Sequence, residues 1–426
     1  GARGRGSAAL YVRRHDAERF NVNQAPDPNV RGQSRNRTLG GNLDWHWGGL
    51  VGGRDASLRA GLDGAVNSVN IRLREEDPAS PGSDSLTTDV DSPSWDLAGY
   101  ATADVRLGRM TLSAGFRYDY IRVPFEDNLD PAADTSSSFR RWSPRGGVSV
   151  ALGAGASAYA SVGRSFRAPA ILELACADET AACPLPFALG EDPPLDPVVG
   201  TSYEVGASWT RGRILIDGAV YRTDVRDDIS FINSDSALLA GYFANIGNTR
   251  REGVELSAQA QLAGGHSLYA NYAFTRASFR TEAEIFSIRS ESVYVATPYF
   301  GANAVLVGDR LPLVPEHQAR FGAAFQLGSG FEAGVDARYT GRQWLRGDEA
   351  NETQALGGYF TADLRLGWER EQWGVSVVIS NAFDARKAVF GTFNENRQTG
   401  ELERFLTRLQ ARSLRLIVRR GFGPGR

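Results

Sequence analysis

The stretch Arg109-Met110-Thr111-Leu112-Ser113-Ala114-Gly115-Phe116-Arg117-Tyr118-Asp119-Tyr120 alternates with a period of two. In an extended strand the even positions, Met110, Leu112, Ala114, Phe116, Tyr118 and Tyr120, share one face, while Thr111, Ser113, Arg117 and Asp119 share the other. One face is greasy and the other is polar. The pattern recurs along the chain. Phe331, Ala333, Val335, Ala337 and Tyr339 alternate with Glu332, Gly334, Asp336 and Arg338. Ala362, Leu364, Leu366 and Trp368 are set against Asp363, Arg365 and Glu369, and Leu256, Ala258, Ala260 and Leu262 against Glu255, Ser257, Gln259 and Gln261.

A soluble antiparallel sheet alternates too, so the placing of the aromatics decides the solvent. The apolar faces often end in Tyr or Trp, as at Tyr203, Trp209, Tyr339, Trp368 and Trp373, matching aromatic girdles at two lipid interfaces. The strands run to about 10 residues or more, beyond the usual length in soluble sheets. No stretch approaches the roughly 18 apolar residues of a membrane-spanning helix. Lipid cannot satisfy open backbone N–H and C=O groups, so strands that cross it must close into a barrel. The expected fold is all-β, a transmembrane antiparallel β-barrel.

Its connections alternate between short and long. Short ones, at Leu107 to Arg109, Gly153 to Ala156, Arg211 to Arg213, Ala263 to Gly265, Gly328 to Gly330 and Glu369 to Gln372, read as periplasmic turns. Long ones read as extracellular loops: Asn21 to Gly32, Asn67 to Ser92, Pro124 to Ser138, Phe166 to Gly200, Asp227 to Asn248, Ser278 to Pro315, Arg342 to Ala355 and Arg386 to Gln410. The last strand, Ser413 to Phe422, carries Leu414, Leu416 and Val418 on one face and resembles the terminal signal that barrel-assembly machinery reads.

Charge and cysteine content exclude other classes. The net charge is -3, and no basic stripe interleaved with aromatics marks a nucleic-acid partner. Cys176 and Cys183 are the two cysteines; close together in a loop, they suit one small disulfide made in an oxidising compartment. A metal site there would have only Asp178 and Glu179 as further ligands, so no metal and no cofactor is expected. The histidines His15, His46, His266 and His317 are scattered, and no serine nucleophile has a histidine and an acid in reach, so the chain is not expected to be an enzyme.

Ser165-Phe166-Arg167-Ala168-Pro169, followed by Glu173-Leu174 and Tyr203-Glu204-Val205-Gly206, resembles a signature of TonB-dependent receptors. So do Asn248-Thr249-Arg250-Arg251-Glu252-Gly253-Val254-Glu255-Leu256, then Leu311-Pro312-Leu313-Val314-Pro315-Glu316-His317, and Asn381-Ala382-Phe383-Asp384. The resemblance covers about Ser157 to Phe422 by motif and the earlier strands by pattern. It implies about 16 of an expected 22 strands, with residues 1–422 as an N-terminally truncated barrel lacking the plug domain and residues 423–426 as a short tail. It further implies a monomer in the outer membrane of a Gram-negative bacterium, in contact with its lipid and lipopolysaccharide. Import of a small-molecule or metal-chelate substrate, foremost a ferric siderophore, would draw energy from TonB, ExbB and ExbD through the missing plug. The alternatives are a passive 16-strand porin and a non-transporting barrel remnant.

Ferric siderophores are large, often aromatic and often anionic, so aromatic and arginine side chains of the outer loops are the candidate ligand contacts. These are Phe187, Tyr242, Phe243, Tyr294, Tyr299, Phe300, Trp344, Arg346 and Phe393. Ordinary loop packing is the competing role for each. Arg346-Gly347-Asp348-Glu349-Ala350-Asn351 reads equally as a polar gate or a solvated loop tip.

Overall fold

In a computed structural model, residues 3–22, 28–80, 82–177, 183–184, 195–233, 240–289, 299–396 and 401–421 are described. Sixteen strands form one sheet, hydrogen-bonded in chain order. They are Arg3–Asn21, Asn29–Val51, Arg54–Glu76, Asp84–Leu107, Met110–Asp127, Thr135–Gly153, Ala156–Arg167 and Val198–Arg211, then Ile214–Arg226, Thr249–Gln261, Ser267–Phe279, His317–Gly328, Phe331–Thr340, Tyr359–Arg370, Trp373–Ser380 and Ser413–Arg420. Neighbours pair antiparallel, as the registers of the first strand pairs and the last show, with one register shift between Leu73 and Arg74. The chain divides into two compact units, Gly1–Val148 with Ser161–Ser202 and Val225–Asn248, and Ser149–Ala160 with Tyr203–Asp224 and Thr249–Arg426.

The expected strand count and the short turns hold, and one more turn is present. Gly52 and Gly53, with φ of 57° and 75°, close the second hairpin where a side chain would be strained. The expected loop from Asn67 to Ser92 is instead largely strand, leaving only residues 77–83 between Arg54–Glu76 and Asp84–Leu107.

The reason is a change of sides. In Arg54–Glu76 the even residues Leu58, Leu62 and Val66 are apolar and the odd residues Arg59, Asp63 and Asn67 polar. Beyond Asn67 the odd residues Val69, Ile71 and Leu73 are apolar and the even residues Ser68, Asn70, Arg72 and Arg74 polar. Strand geometry continues, but the faces exchange, and a single alternation template loses the signal.

The same exchange occurs in neighbouring strands. On the lipid face, Val12, Leu39, Val66 and Trp95 lie in one register line and mark the end of the apolar band. Below it the lipid face is open, with Leu10 87% and Leu62 60% exposed. Each such side chain would forgo about 1.5–3 kcal/mol in water, so this face is built for hydrocarbon. Above the line the opposite face becomes apolar, and there the protein keeps a core of water-soluble type. Val90, Phe125 and Ala175 pack with Ile71, Ile171 and Leu172. Val123, Phe139, Leu174 and Leu195 pack with Ile121, Ile229 and Phe243.

The long connections, expected as loops, hold strands of their own. Ile229–Asn233 pairs with Ala240–Asn245, which also meets Cys183–Pro184; Ala283–Arg289 pairs with Tyr299–Val305, and Ala388–Asn396 with Glu401–Arg408. His15 and His46 lie within strands.

Candidate functional site

The polar face carries a repeated cross-strand device. In the first unit Tyr100 stands opposite Gly61, which stands opposite Asp44. The Tyr100 ring crosses the glycine and its hydroxyl donates to the Asp44 carboxylate, which also accepts from Arg59 at 2.7 Å. In the second unit Tyr269, Gly322 and Asp336 repeat the line. The Tyr269 hydroxyl donates to Asp336, and so do Arg320 at 2.8 Å and Arg338 at 2.9 Å. A ring of that size fits flat against a strand only where the neighbour lacks Cβ.

Beside the second line is a cavity of about 590 Å³, lined among others by Tyr159, Asp217, Glu255, Asn271, Arg320 and Arg338. Carboxylates, guanidiniums and amides share this wall, so it can hydrate a polar solute and hydrogen-bond to it without holding it by one charge. Among the described residues no group of three or more His, Cys, Asp or Glu could hold a metal.

Above that wall, in the same unit, the connection 341–358 is stitched to two others. Leu345, 1% exposed, packs with Phe393 and Leu356. Arg346 N–H donates to the Gly391 carbonyl at 3.4 Å, and Phe393 N–H to the Arg346 carbonyl at 3.2 Å. A side chain on Gly391 would strike Leu345 and Leu406. Asn351 joins Arg310 through both backbone groups, accepting from its N–H at 2.5 Å and donating to its carbonyl at 3.0 Å.

The segment Arg346 to Asn351 is therefore no solvated tip. Asp348 is fully buried and accepts from Glu352 N–H at 2.8 Å, Thr353 N–H at 3.2 Å and Thr353 Oγ1 at 2.6 Å. Burial raises its carboxyl above the usual range, against these hydrogen bonds, and burial likewise raises that of Glu349. Burial lowers the pKa of the Arg310 guanidinium, while Glu316, 2.7 Å away, opposes the shift.

Of the candidate ligand contacts, Trp344, Arg346 and Phe393 come together here. The Arg346 side chain is exposed, Trp344 is half-buried, and Phe393 is buried under the Arg404 guanidinium, 5.5 Å from its ring centre. Tyr242 and Phe243 belong to the other unit, where Phe243 meets Phe231 edge-on at 5.1 Å. Tyr299 and Phe300 begin the strand Tyr299–Val305, but their side chains are not described; Phe187 and Tyr294 lie outside the described residues.

The motif residues singled out in the sequence fix the course of the chain locally, within each unit. Glu173 accepts from Arg167 at 2.5 Å and from Ala170 N–H at 2.8 Å, which turns the chain after Ala156–Arg167 into the helical turn Ile171–Leu174. Asn381, with φ of 48°, donates to the carbonyls of Ala385 and Gln410, and Asp384 accepts from Arg412 N–H at 3.0 Å. That hydrogen bond, with Arg386, holds the Asp384 carboxyl below its usual range. The last strand is thereby clasped to the one before it. Glu316 accepts from both Arg310 and Arg342.

The family model described as TonB dependent receptor-like, beta-barrel matches residues 4–382. The chain belongs to this family. Barrels of TonB-dependent receptors are outer-membrane proteins, and the family is one of receptors and transporters. The chain is 25% identical over 311 residues to the ferrichrome outer membrane transporter/phage receptor of Escherichia coli (strain K12), a match covering 69% of this chain and 35% of the relative. It is 22% identical over 279 residues to the ferrioxamine receptor of Yersinia enterocolitica, covering 65% and 33%. It thus spans about a third of the length of these relatives. The fold is shared with the ferric yersiniabactin uptake receptor FyuA from Yersinia pestis, at a TM-score of 0.72 and 16% identity over 99% of this chain and 59% of that one.

Proposed function

We propose that this chain, through residues 1–422 with 423–426 as a tail, is the barrel portion of an importer that carries a ferric siderophore across the outer membrane of a Gram-negative bacterium. The observation that carries the reading is the two-sided sheet of a TonB-dependent receptor, apolar toward lipid and hydrogen-bonding toward the other side. The naming of its curated relatives for ferrichrome and ferrioxamine supports the substrate class. The substrate binds at the outer rim and passes along the polar face, with no chemistry done on it. TonB with ExbB and ExbD supplies the force through a plug domain. The protein works as a monomer in contact with outer-membrane lipid and lipopolysaccharide.

At the rim, the reading assigns Trp344 and Arg346 as the best-placed contacts for an aromatic, anionic chelate, with Tyr242, Tyr294, Tyr299, Phe300 and Phe187 as further candidates. Phe243 and Phe393 contribute through packing.

The test is uptake of radiolabelled iron, presented as a panel of ferric siderophores, by cells whose only receptor gene encodes the whole receptor of which this chain is the barrel portion, with and without TonB. TonB-dependent uptake of one chelate is expected, reduced about tenfold by Arg346→Ala, as for one lost charge-assisted contact. Equal uptake without TonB, together with ion conductance, would replace the importer by a passive pore.

A further inference from the structure

Three tyrosines on the polar face lie across a glycine and donate their hydroxyl to a carboxylate. Two are Tyr100 and Tyr269, on Asp44 and Asp336. The third is Tyr159, whose ring would lie 2.5 Å from a Cβ at Gly206 and whose hydroxyl donates to Glu204, two residues from that glycine. A ring held flat against the sheet turns its π face, the negative part of its quadrupole, toward the open side. At the first two tyrosines that face is covered by the protein's own cations. Arg59 and Arg117 each lie 6.0 Å from the Tyr100 ring centre, and Arg320 lies 5.6 Å from that of Tyr269. Arg59 and Arg320 also pair with the carboxylate that the tyrosine meets.

Tyr159 differs. Among the described residues no guanidinium lies over its ring or pairs with Glu204. The charges that act on its hydroxyl are the carboxylates of Glu204, Glu255 and Asp217. Asp217 and Glu255 line the same cavity of about 590 Å³ as Tyr159, and neither has a cationic partner among the described residues. Farther along the sheet the cavity is lined by Arg320 and Arg338, which share Asp336, and Asn271 stands on the strand between Glu255 and Arg320. One end of the cavity is thus aromatic and anionic, and the other carries guanidiniums.

We propose that Tyr159, Asp217 and Glu255 form a passage site for an organic cation, the ammonium group of a transported chelate whose anionic part faces Arg320 and Arg338. The class of cation follows from the spacing. Among the described residues no three His, Cys, Asp or Glu stand close enough to hold a metal ion, whereas an ammonium can rest on a ring face and reach separate carboxylates through its three N–H donors. A wall of one sign raises the local concentration of the opposite charge and speeds its entry. The inference rests on the reading of this chain as the barrel of an importer, and it adds that the substrate is zwitterionic.

The test compares two ferric trihydroxamates that differ in one group, a terminal amine that is free in one and acetylated in the other. Uptake is measured well below saturation, with and without TonB, in cells whose only receptor is the whole protein of which this chain is the barrel portion. The free-amine chelate is expected to enter about tenfold faster, and Asp217→Asn together with Glu255→Gln should bring the ratio of the two rates to about one. Tyr159→Leu, which removes the ring face, should lower the ratio about threefold, and Tyr159→Phe, which keeps the face, should lower it less. A ratio near one in the natural receptor overturns the site, as does an undiminished ratio in the double variant at equal amounts of heat-modifiable receptor. Uptake of both chelates that is absent, or equal without TonB, overturns the importer reading and the inference with it, and so is distinguished from failure of the site alone.

Discussion

The Tyr100 ring occupies the space that a side chain at Gly61 would need: a Cβ there would lie 2.5 Å from the tyrosine hydroxyl oxygen. Gly61→Ala therefore forces the ring off the sheet and breaks its hydrogen bond to Asp44. A loss of about 1–3 kcal/mol is expected from the overlap, against about 1 kcal/mol for Tyr100→Phe, which keeps the ring and removes only the hydroxyl. Urea unfolding from vesicles, followed by tryptophan emission, gives both values. Equal effects of the two variants would show that the hydroxyl, not the fit, carries the interaction.

The outer connections should respond to pH with opposite signs. Asp348 and Glu349 have carboxyls raised by burial. Their folded form prefers the proton, so their contribution is fully present below the ordinary carboxyl range of about 4 and is lost as pH rises through the raised values. Asp384 is lowered by Arg412 and Arg386; its contribution is present above that range and lost as pH falls through the lowered value. Hydrogen exchange, corrected for intrinsic rates, should show residues 341–358 better protected at pH 5 than at pH 8. The clasp at 381–385 should weaken only below about pH 4. Asp348→Asn together with Glu349→Gln should abolish the first trend and leave the second.

Much of this was legible in the sequence, and the failures have identifiable causes. The alternation of Met110 to Tyr120 is a property of neighbours two residues apart, so it survives without knowledge of pairing, and it gave the fold class and the strand count. The Tyr100, Gly61 and Asp44 line is a property of register across three strands, and no local window contains it. The strand beyond Asn67 was hidden because the apolar face changes sides there. The choice between a polar gate and a solvated tip at Arg346 to Asn351 stays open in the sequence because the donors to Asp348, Glu352 N–H and Thr353 Oγ1, satisfy it only in the folded connection.

We propose a disulfide between Cys176 and Cys183. The Cys176 side chain is fully buried and its carbonyl accepts from Phe243 N–H at 2.5 Å, while the backbone of Cys183 pairs with Gly241. Both cysteines thus attach to the same strand, Ala240–Asn245. Alkylation of the unfolded, unreduced protein should leave both thiols unlabelled, and labelling after reduction should add two groups. Two labels without reduction would refute the bond.

The helical turn Ile171–Leu174 belongs to a connection that leaves its parent strand and packs against the apolar upper ends of Arg54–Glu76, Asp84–Leu107 and Met110–Asp127. Two contacts set its position: Glu173 fixes the bend after Arg167, and Leu174 and Ala175 fill the core. Leu174→Ala should cost about 2–4 kcal/mol locally, and Ala175→Asp more, because a carboxylate would enter a site that is 1% exposed. Unfolding of the transmembrane strands should be unchanged in both variants, since the apolar band below depends on lipid and not on this core. Limited proteolysis of the protein in vesicles separates the two effects. Cleavage confined to residues 168–177, with the heat-modifiable barrel intact, is the expected outcome; loss of the whole barrel in Leu174→Ala would show instead that the core above the membrane and the strands within it fold as one.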